Sequence, residues 1–486
     1  MLNHLAGKLY YLIFKDGHLK GTVEIADGLT VSSKVFKTDD ILFYTDSDVT
    51  SGAAKEAGWG HVQDKAVPDS STYKNIPITG NLDADAVPSQ KPYVDAGIVW
   101  KDGTYKFTSD TVLETTKDYS TMIDARKDVV IDAAGKTLTL RGTIDTPSIS
   151  TDEHERLALI QSGQGKNLTI NAGRLVLDAE QSASGGNTYG MAIDGSVNPT
   201  HVTVNGNVDV TSTSKVKSSM GGAYGIWARG RAVIDIHGTV TMKKENGWAV
   251  DSDQNGFSFY GYGGILSHIV WGADLNQGAT INVDNVDLKV NGNGLWTNIG
   301  GGIINVNGGS VEVNPNNGVG YSALLAECGT VNMNVLKDAD GNVTGAGNND
   351  VTIKGNVFAA TGAINDVDKG TYTSINLGLT NERSSLTGVI WNGFRDEGNK
   401  NTTKLFYGRT NLWLSDGAQW HHEPYGSVEV KDMNYYGDKF KGSVVSNFHG
   451  GSSEAHSGYI FQGTPSKKAR KLGITFKNYN GYTIVF

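Results

Sequence analysis

Two repeated phrases and a turn-rich composition predict an all-β chain folded as a right-handed parallel β-helix, a three-faced β-solenoid with variable loops. The first phrase is plainest across residues 280–313. There Ile304 and Val306 alternate with Asn305 and Asn307, Gly308 and Gly309 interrupt the run, and Val311 and Val313 resume it around Ser310 and Glu312. One unit earlier, Ile281 and Val283 alternate with Asn282 and Asp284, Asn285 turns the chain, and Val286, Leu288 and Val290 follow. A period of two belongs to a strand with one apolar face. The second phrase precedes many copies of the first and reads as a third strand: Tyr189 to Ile193, Tyr224 to Ala228, Gly264 to Leu266, Gly294 to Trp296, and Tyr321 to Leu325. The composition, 63 Gly against 9 Pro, supplies sharp turns without breaking strands.

Taken in order, residues 1–95 form a poorly patterned N-terminal β region or insert. The apolar run from Leu9 to Phe14 is too short for an export signal and no small-residue cleavage site follows, so it reads as a strand. Val23, Ile25, Leu29 and Val31 fit the repeated unit around Ala26, Asp27 and Gly28. Residues 46–90, rich in Ser, Asp, Ala and Pro, carry Trp59 and His61 but no periodicity. Residues 98–107 read as a hairpin or a first rung that turns at Asp102 and Gly103.

Residues 96–380 are the expected solenoid core. Leu138 and Leu140 turn through Gly142 toward Ile144, and Leu168 and Ile170 turn through Gly173 to Leu175 and Leu177. Val202 and Val204 turn through Gly206 to Val208 and Val210; Ile234 and Ile236 through Gly238 to Val240 and Met242; Val351 and Ile353 through Gly355 to Val357 and Ala359. Gly and Asn recur at the corners because they reach positive φ at little cost. A single rung cannot bury its apolar side chains, but rungs stacked about 4.8 Å apart place them in an internal ladder. Roughly a dozen rungs would give a rod of about 60 Å.

The bulk properties agree. A chain of 486 residues is long for one globular core and natural for a one-dimensional stack. An apolar content of 38% with regular alternation argues against disorder, and a mean hydropathy of -0.30 suits a thin core with a large wet surface. The net charge of -9 is spread along the chain, which argues against nucleic acid as a partner. No run approaches the roughly 18 apolar residues of a membrane-spanning helix. The single cysteine, Cys328, excludes an internal disulfide and reads as a small buried apolar residue.

Residues 243–272 form the longest and most aromatic interruption of the pattern, with Trp248, Phe257, Phe259, Tyr260, Tyr262 and Trp271. These six are the candidate ligand-binding residues, since Trp and Tyr on a loop over a rigid scaffold are a common contact arrangement. The alternative is that they pack on their own rung and close a gap. Asp251 and Asp253 in the same stretch lack the further spaced oxygen ligands of a calcium loop.

Within residues 381–486 the phrasing changes. Ser385, Leu386 and Gly388 lead to Ile390 and Trp391; then Asn411, Leu412 and Leu414 precede Asp416, Gly417, Ala418 and Trp420. Leu412 and Leu414 should point inward, Asp416 and Gly417 should turn, and Trp420 should cover the end of the rung. This pair of phrases, with Ser443 to Ser446 and the Gly450-Gly451 turn downstream, resembles the passenger domains of autotransporters, the type V secreted proteins of diderm bacteria, particularly their adhesin-like group. The resemblance implies a pectin lyase-like parallel β-helix at the cell surface, associated with the outer membrane through a C-terminal barrel. Neither an export signal nor a translocator barrel is read in this sequence, so the expectation is a passenger whose remaining parts lie outside it.

Catalysis is not expected. Polysaccharide-cleaving β-helices need paired carboxylates or a calcium-assisted base, and Asp194, Asp235 and Asp251 are scattered among strand and turn positions. No metal or cofactor is expected either: His421 and His422 are adjacent on a strand and so point to opposite faces. The basic run at residues 465–471 reads as a solvated loop. The expected role is an adhesion and display rod that binds host or bacterial surface glycans or proteins. A polysaccharide-active lyase or glycosidase and a structural surface-layer component are the alternatives.

Overall fold

The computed structural model describes residues 78–80, 103–107, 110–115, 121–125, 128–144, 157–163, 165–181, 187–215, 222–252, 256–262, 278–298, 301–316, 322–327, 329–361, 373–394, 408–427, 432–435, 438–462 and 472–486. It is all-β. Among the described residues backbone hydrogen bonds join 28 strands into one network, and outside two small hairpins the pairing between strands is parallel with one exception. That exception is Ile78–Gly80, antiparallel to Gly103–Phe107. The expected units at Val23 to Val31, the third-strand phrase at Gly264 to Leu266, Cys328 and residues 465–471 lie outside the described residues.

The parallel pairs run in three tracks, and each apolar position of a unit meets its counterpart in the next. In the first track Ile131, Ile170, Val204, Ile236, Val283, Val306, Met333, Leu377 and Leu412 follow one another in register, none more than 3% exposed. In the second, Leu288, Val311, Ile353, Leu386, Trp420 and Ile460 do the same. In the third the column is Ile160, Met191, Ile226, Phe259, Leu295, Leu324, Val357 and Ile390. All belong to one buried apolar cluster. Each such side chain contributes about 1.5–3 kcal/mol on leaving water, so the strength of the stack is its length in rungs.

Corners are as tight as the glycine pattern predicts. Gly206 has φ 142°, and a Cβ there would lie 1.8 Å from the Ala172 carbonyl oxygen; at Gly309, φ 111°, it would lie 1.9 Å from that of Val286. The turn at Asp416 (φ 50°) and Gly417 (φ 84°) also forms, with Leu412, Leu414 and Trp420 all buried beside it. Parallel pairing continues past residue 380 without a break, as Val351–Lys354 pairs with Ser385–Thr387 and Ser374–Leu379 with Arg409–Leu414.

Asparagine departs from the expectation. Beyond corners, it fills a strand position between two inward residues, where Asn282, Asn305, Asn332, Asn376, Asn411, Asn447 and Asn478 stand in one register column. Each later amide donates to the side-chain oxygen of the one before it, over 2.5–2.8 Å.

Candidate ligand-binding face

The aromatic stretch is not one continuous loop. Gly256–Tyr262 is a strand of the third track, paired in parallel with Ala223–Met242 on one side and Asn293–Asn298 on the other. It occupies the third-strand position that the sequence assigned to residues 264–266. Phe259 is fully buried in the core column and presents nothing to a ligand. The alternation that put it there, with Phe257 and Phe259 two residues apart, was legible, but the surrounding glycines and serines suggested a loop. Tyr260 is in register with Trp227 and Trp296. Trp271 lies outside the described residues, as do the side chains of Phe257, Tyr260 and Tyr262.

The outer side of the third track is largely closed by its own aromatics. Tyr189 stacks on Tyr224 at 4.7 Å, Trp227 meets Tyr189 edge-on at 5.6 Å, and Phe358 stacks on Trp391 at 4.6 Å. Trp391 is roofed by Phe440, 5.5 Å away, and by Met433 from the following excursion. Burial pushes the Tyr224 phenol well above its ordinary pKa. Trp296 is half-buried and donates its indole N–H to Glu327 Oε2 at 2.8 Å.

Among the described residues an open groove of about 420 Å³ lies on the second track, lined by Lys243, Lys244, Lys289, Ser310, Glu312, Thr352 and Lys354. Lys243 and Lys244 follow directly on Ala223–Met242, and the others come from three further strands, Thr280–Val290, Gly309–Val313 and Val351–Lys354. Lys289, Glu312 and Lys354 are register neighbours, as are Asp287, Ser310 and Thr352. Lys354 pairs with Glu312 at 3.4 Å, Lys243 pairs with Asp287, and Lys244 donates to Thr213 Oγ1 at 2.8 Å. Lys289 lies over the ring of Trp248, 5.1 Å from its centroid. Trp248, from the expected aromatic site, thus props one wall of the groove. Burial and the Glu312 carboxylate push the Tyr425 phenol up to about 12. The four lysines escape a linear reading because Lys289 and Lys354 come from repeats other than that of Lys243 and Lys244. Aligning Leu288-Lys289, Val311-Glu312 and Ile353-Lys354 would have revealed the Lys289–Glu312–Lys354 column.

The scattered carboxylates are each engaged. Burial alone would raise the Asp194 carboxyl, but the Arg229 guanidinium and Ser196 hold it below the usual range. Asp235 meets His201 Nε2 and the Asn282 amide, both at 2.6 Å, and Asp251 accepts from the Asn291 amide. His421 stacks on Phe461 at 5.1 Å, whereas His422 faces inward and contacts Ser443 Oγ at 2.8 Å. Among the described residues no three His, Cys, Asp or Glu side chains converge, and no helix is long and apolar enough to cross a membrane.

No protein-family model matches the chain, and no curated protein or solved structure matches it.

Proposed function

We propose that the chain is a right-handed parallel β-helix that serves as a cell-surface or secreted adhesion and display rod, in the manner of an autotransporter passenger. The observation that carries this reading is the parallel stacking of the described strands from Gly103–Phe107 to Thr483–Val485, with long inward ladders. Three parallel tracks that recur in chain order are what a coil produces, and the crossover rule gives that coil its right hand. The burial of Leu412, Leu414 and Trp420 around the Asp416-Gly417 turn supports the autotransporter-like phrase on which the surface assignment rests. A rigid rod of repeated rungs suits contact at several points along its length, where modest individual affinities multiply.

Two experiments test the reading. The nucleotide sequence flanking the reading frame should encode an export signal upstream and a translocator barrel downstream; flanking polysaccharide-degradation genes would replace adhesion with a catalytic role. Beads coated with the purified chain should attach saturably to bacterial or host cell surfaces without releasing reducing or unsaturated sugar ends. Absence of attachment, or release of such ends, would overturn the adhesive role.

A further inference from the structure

The groove on the second track has a charge, a spacing and a shape that together specify a ligand class. In a chain of net charge -9, four lysine ammonium groups line it against the carboxylates of Asp287 and Glu312. Lys289 and Lys354 stand two strands apart in one column, about 10 Å at the usual strand spacing, with Glu312 between them. The neighbouring column offers the Ser310 and Thr352 hydroxyls, Ser310 fixed by its hydrogen bond to Asp287 Oδ1 at 2.6 Å.

We propose that this groove binds a linear anionic polysaccharide, a sugar chain carrying carboxylates or sulfates, laid along the stack axis. This rests on the display-rod reading for its setting and adds the ligand. The recess crosses successive rungs, so it favours a polymer that repeats along the same axis. Cations separated by a carboxylate and flanked by hydroxyls match a ligand whose charges are spaced and whose intervening groups are hydroxyls. Duplex DNA carries a charge about every 1.7 Å and would bring many of its phosphates against Glu312 and Asp287. Each ammonium has three donors, so the contacts to Glu312, Asp287, Thr213 and the Trp248 ring leave N–H groups for the ligand. The Trp248 ring also fixes Lys289 before binding, which lowers the ordering cost.

The test is binding of the whole chain to heparin, polygalacturonate, neutral dextran and duplex DNA, followed by calorimetry over a range of NaCl concentrations. Saturable binding to heparin, polygalacturonate or both is expected, with little to dextran or DNA, and the logarithm of affinity should fall linearly with that of salt. Heparin alone would mark sulfate as the recognised group, polygalacturonate alone carboxylate. The double variant Lys244→Gln, Lys289→Gln should lose at least about tenfold in affinity and show a shallower salt slope, because fewer counterions are displaced. Lys289→Arg should retain binding, and Lys441→Gln, an exposed lysine away from the groove, should not alter it. The proposal is overturned if neither polyanion binds, if DNA binds as well as they do, or if Lys441→Gln weakens binding as much as the double variant. Cell attachment without polyanion binding would sink this inference and leave the adhesive role standing; polyanion binding in the groove without attachment would do the reverse.

Discussion

Asn282 donates its side-chain amide to Asp235 Oδ1 at 2.6 Å, and the bond terminates a column in which every amide dipole points the same way. Asn305, Asn332, Asn376, Asn411, Asn447 and Asn478 each donate toward Asp235, whose other oxygen is held by His201 at 2.6 Å. Aligned hydrogen bonds polarise one another, and their positive ends face the carboxylate. Asn332 and Asn376 are 3% and 4% exposed, whereas Asn478 is exposed. Asn376→Ala should therefore cost about 1–3 kcal/mol, because it leaves the buried Asn332 oxygen and the half-buried Asn411 amide without their partner. Asn478→Ala should cost no more than about 0.5 kcal/mol. Urea denaturation of the two variants checks the difference; equal losses would mean that the column carries no cooperative load.

The inward ladders make a second prediction. Val306 is 2% exposed, between Val283 and Met333 in register. Val306→Asp buries a carboxylate without a partner and should destabilise the chain by several kcal/mol. Ser310→Asn, on the outer side of the same rung and still able to donate to Asp287, should not. Thermal melting followed by far-UV circular dichroism separates the two, and wild-type melting of Val306→Asp would contradict the ladder.

The ladders of the first two tracks were legible because alternation reports one strand at a time: Ile304, Val306, Val311 and Val313 are buried as their spacing requires. The polar columns were less so. Asn305 was visibly outward, but its partners Asn282 and Asn332 are 23 and 27 residues away, and loops of unequal length hide that register. The same irregular loops concealed the lysine groove, whose charges come from separate rungs. The strand Gly256–Tyr262 was missed for a different reason: its glycines and serine weaken the pattern, and only its parallel neighbours on both sides fix it as a strand.

Trp420 yields a third prediction. It is fully buried, stacks in register between Leu386 and Ile460, and donates its indole N–H to the Gly388 carbonyl at 2.9 Å. Trp420→Phe keeps most of the ring but leaves that carbonyl without its donor, a cost of about 1–3 kcal/mol. Trp420→Ala also opens a cavity and should cost about 3–5 kcal/mol. Denaturation midpoints should fall in that order. If the two variants are equally stable, the indole is not filling the end of the rung.

His422 gives the chain a defined acid sensitivity. Its ring is 2% exposed and lies edge-on to Trp420 at 5.1 Å. Its Nε2 is 2.8 Å from Ser443 Oγ, which also accepts the Ile390 amide at 3.0 Å. Burial favours the neutral ring and pushes its pKa down to about 4 from an ordinary 6.5. Between those values the unfolded chain binds a proton that the folded chain refuses, so stability is complete above about pH 6.5 and declines as the pH falls toward 4. The loss should reach on the order of 2–3 kcal/mol from this residue. His449, also shifted downward by burial, adds to it with the same sign. His422→Gln, which retains a polar group opposite Ser443 but does not titrate, should flatten the fall in melting temperature between pH 7 and pH 4.5. An unchanged pH slope in that variant would show that the folded protein accepts the proton on His422 without cost.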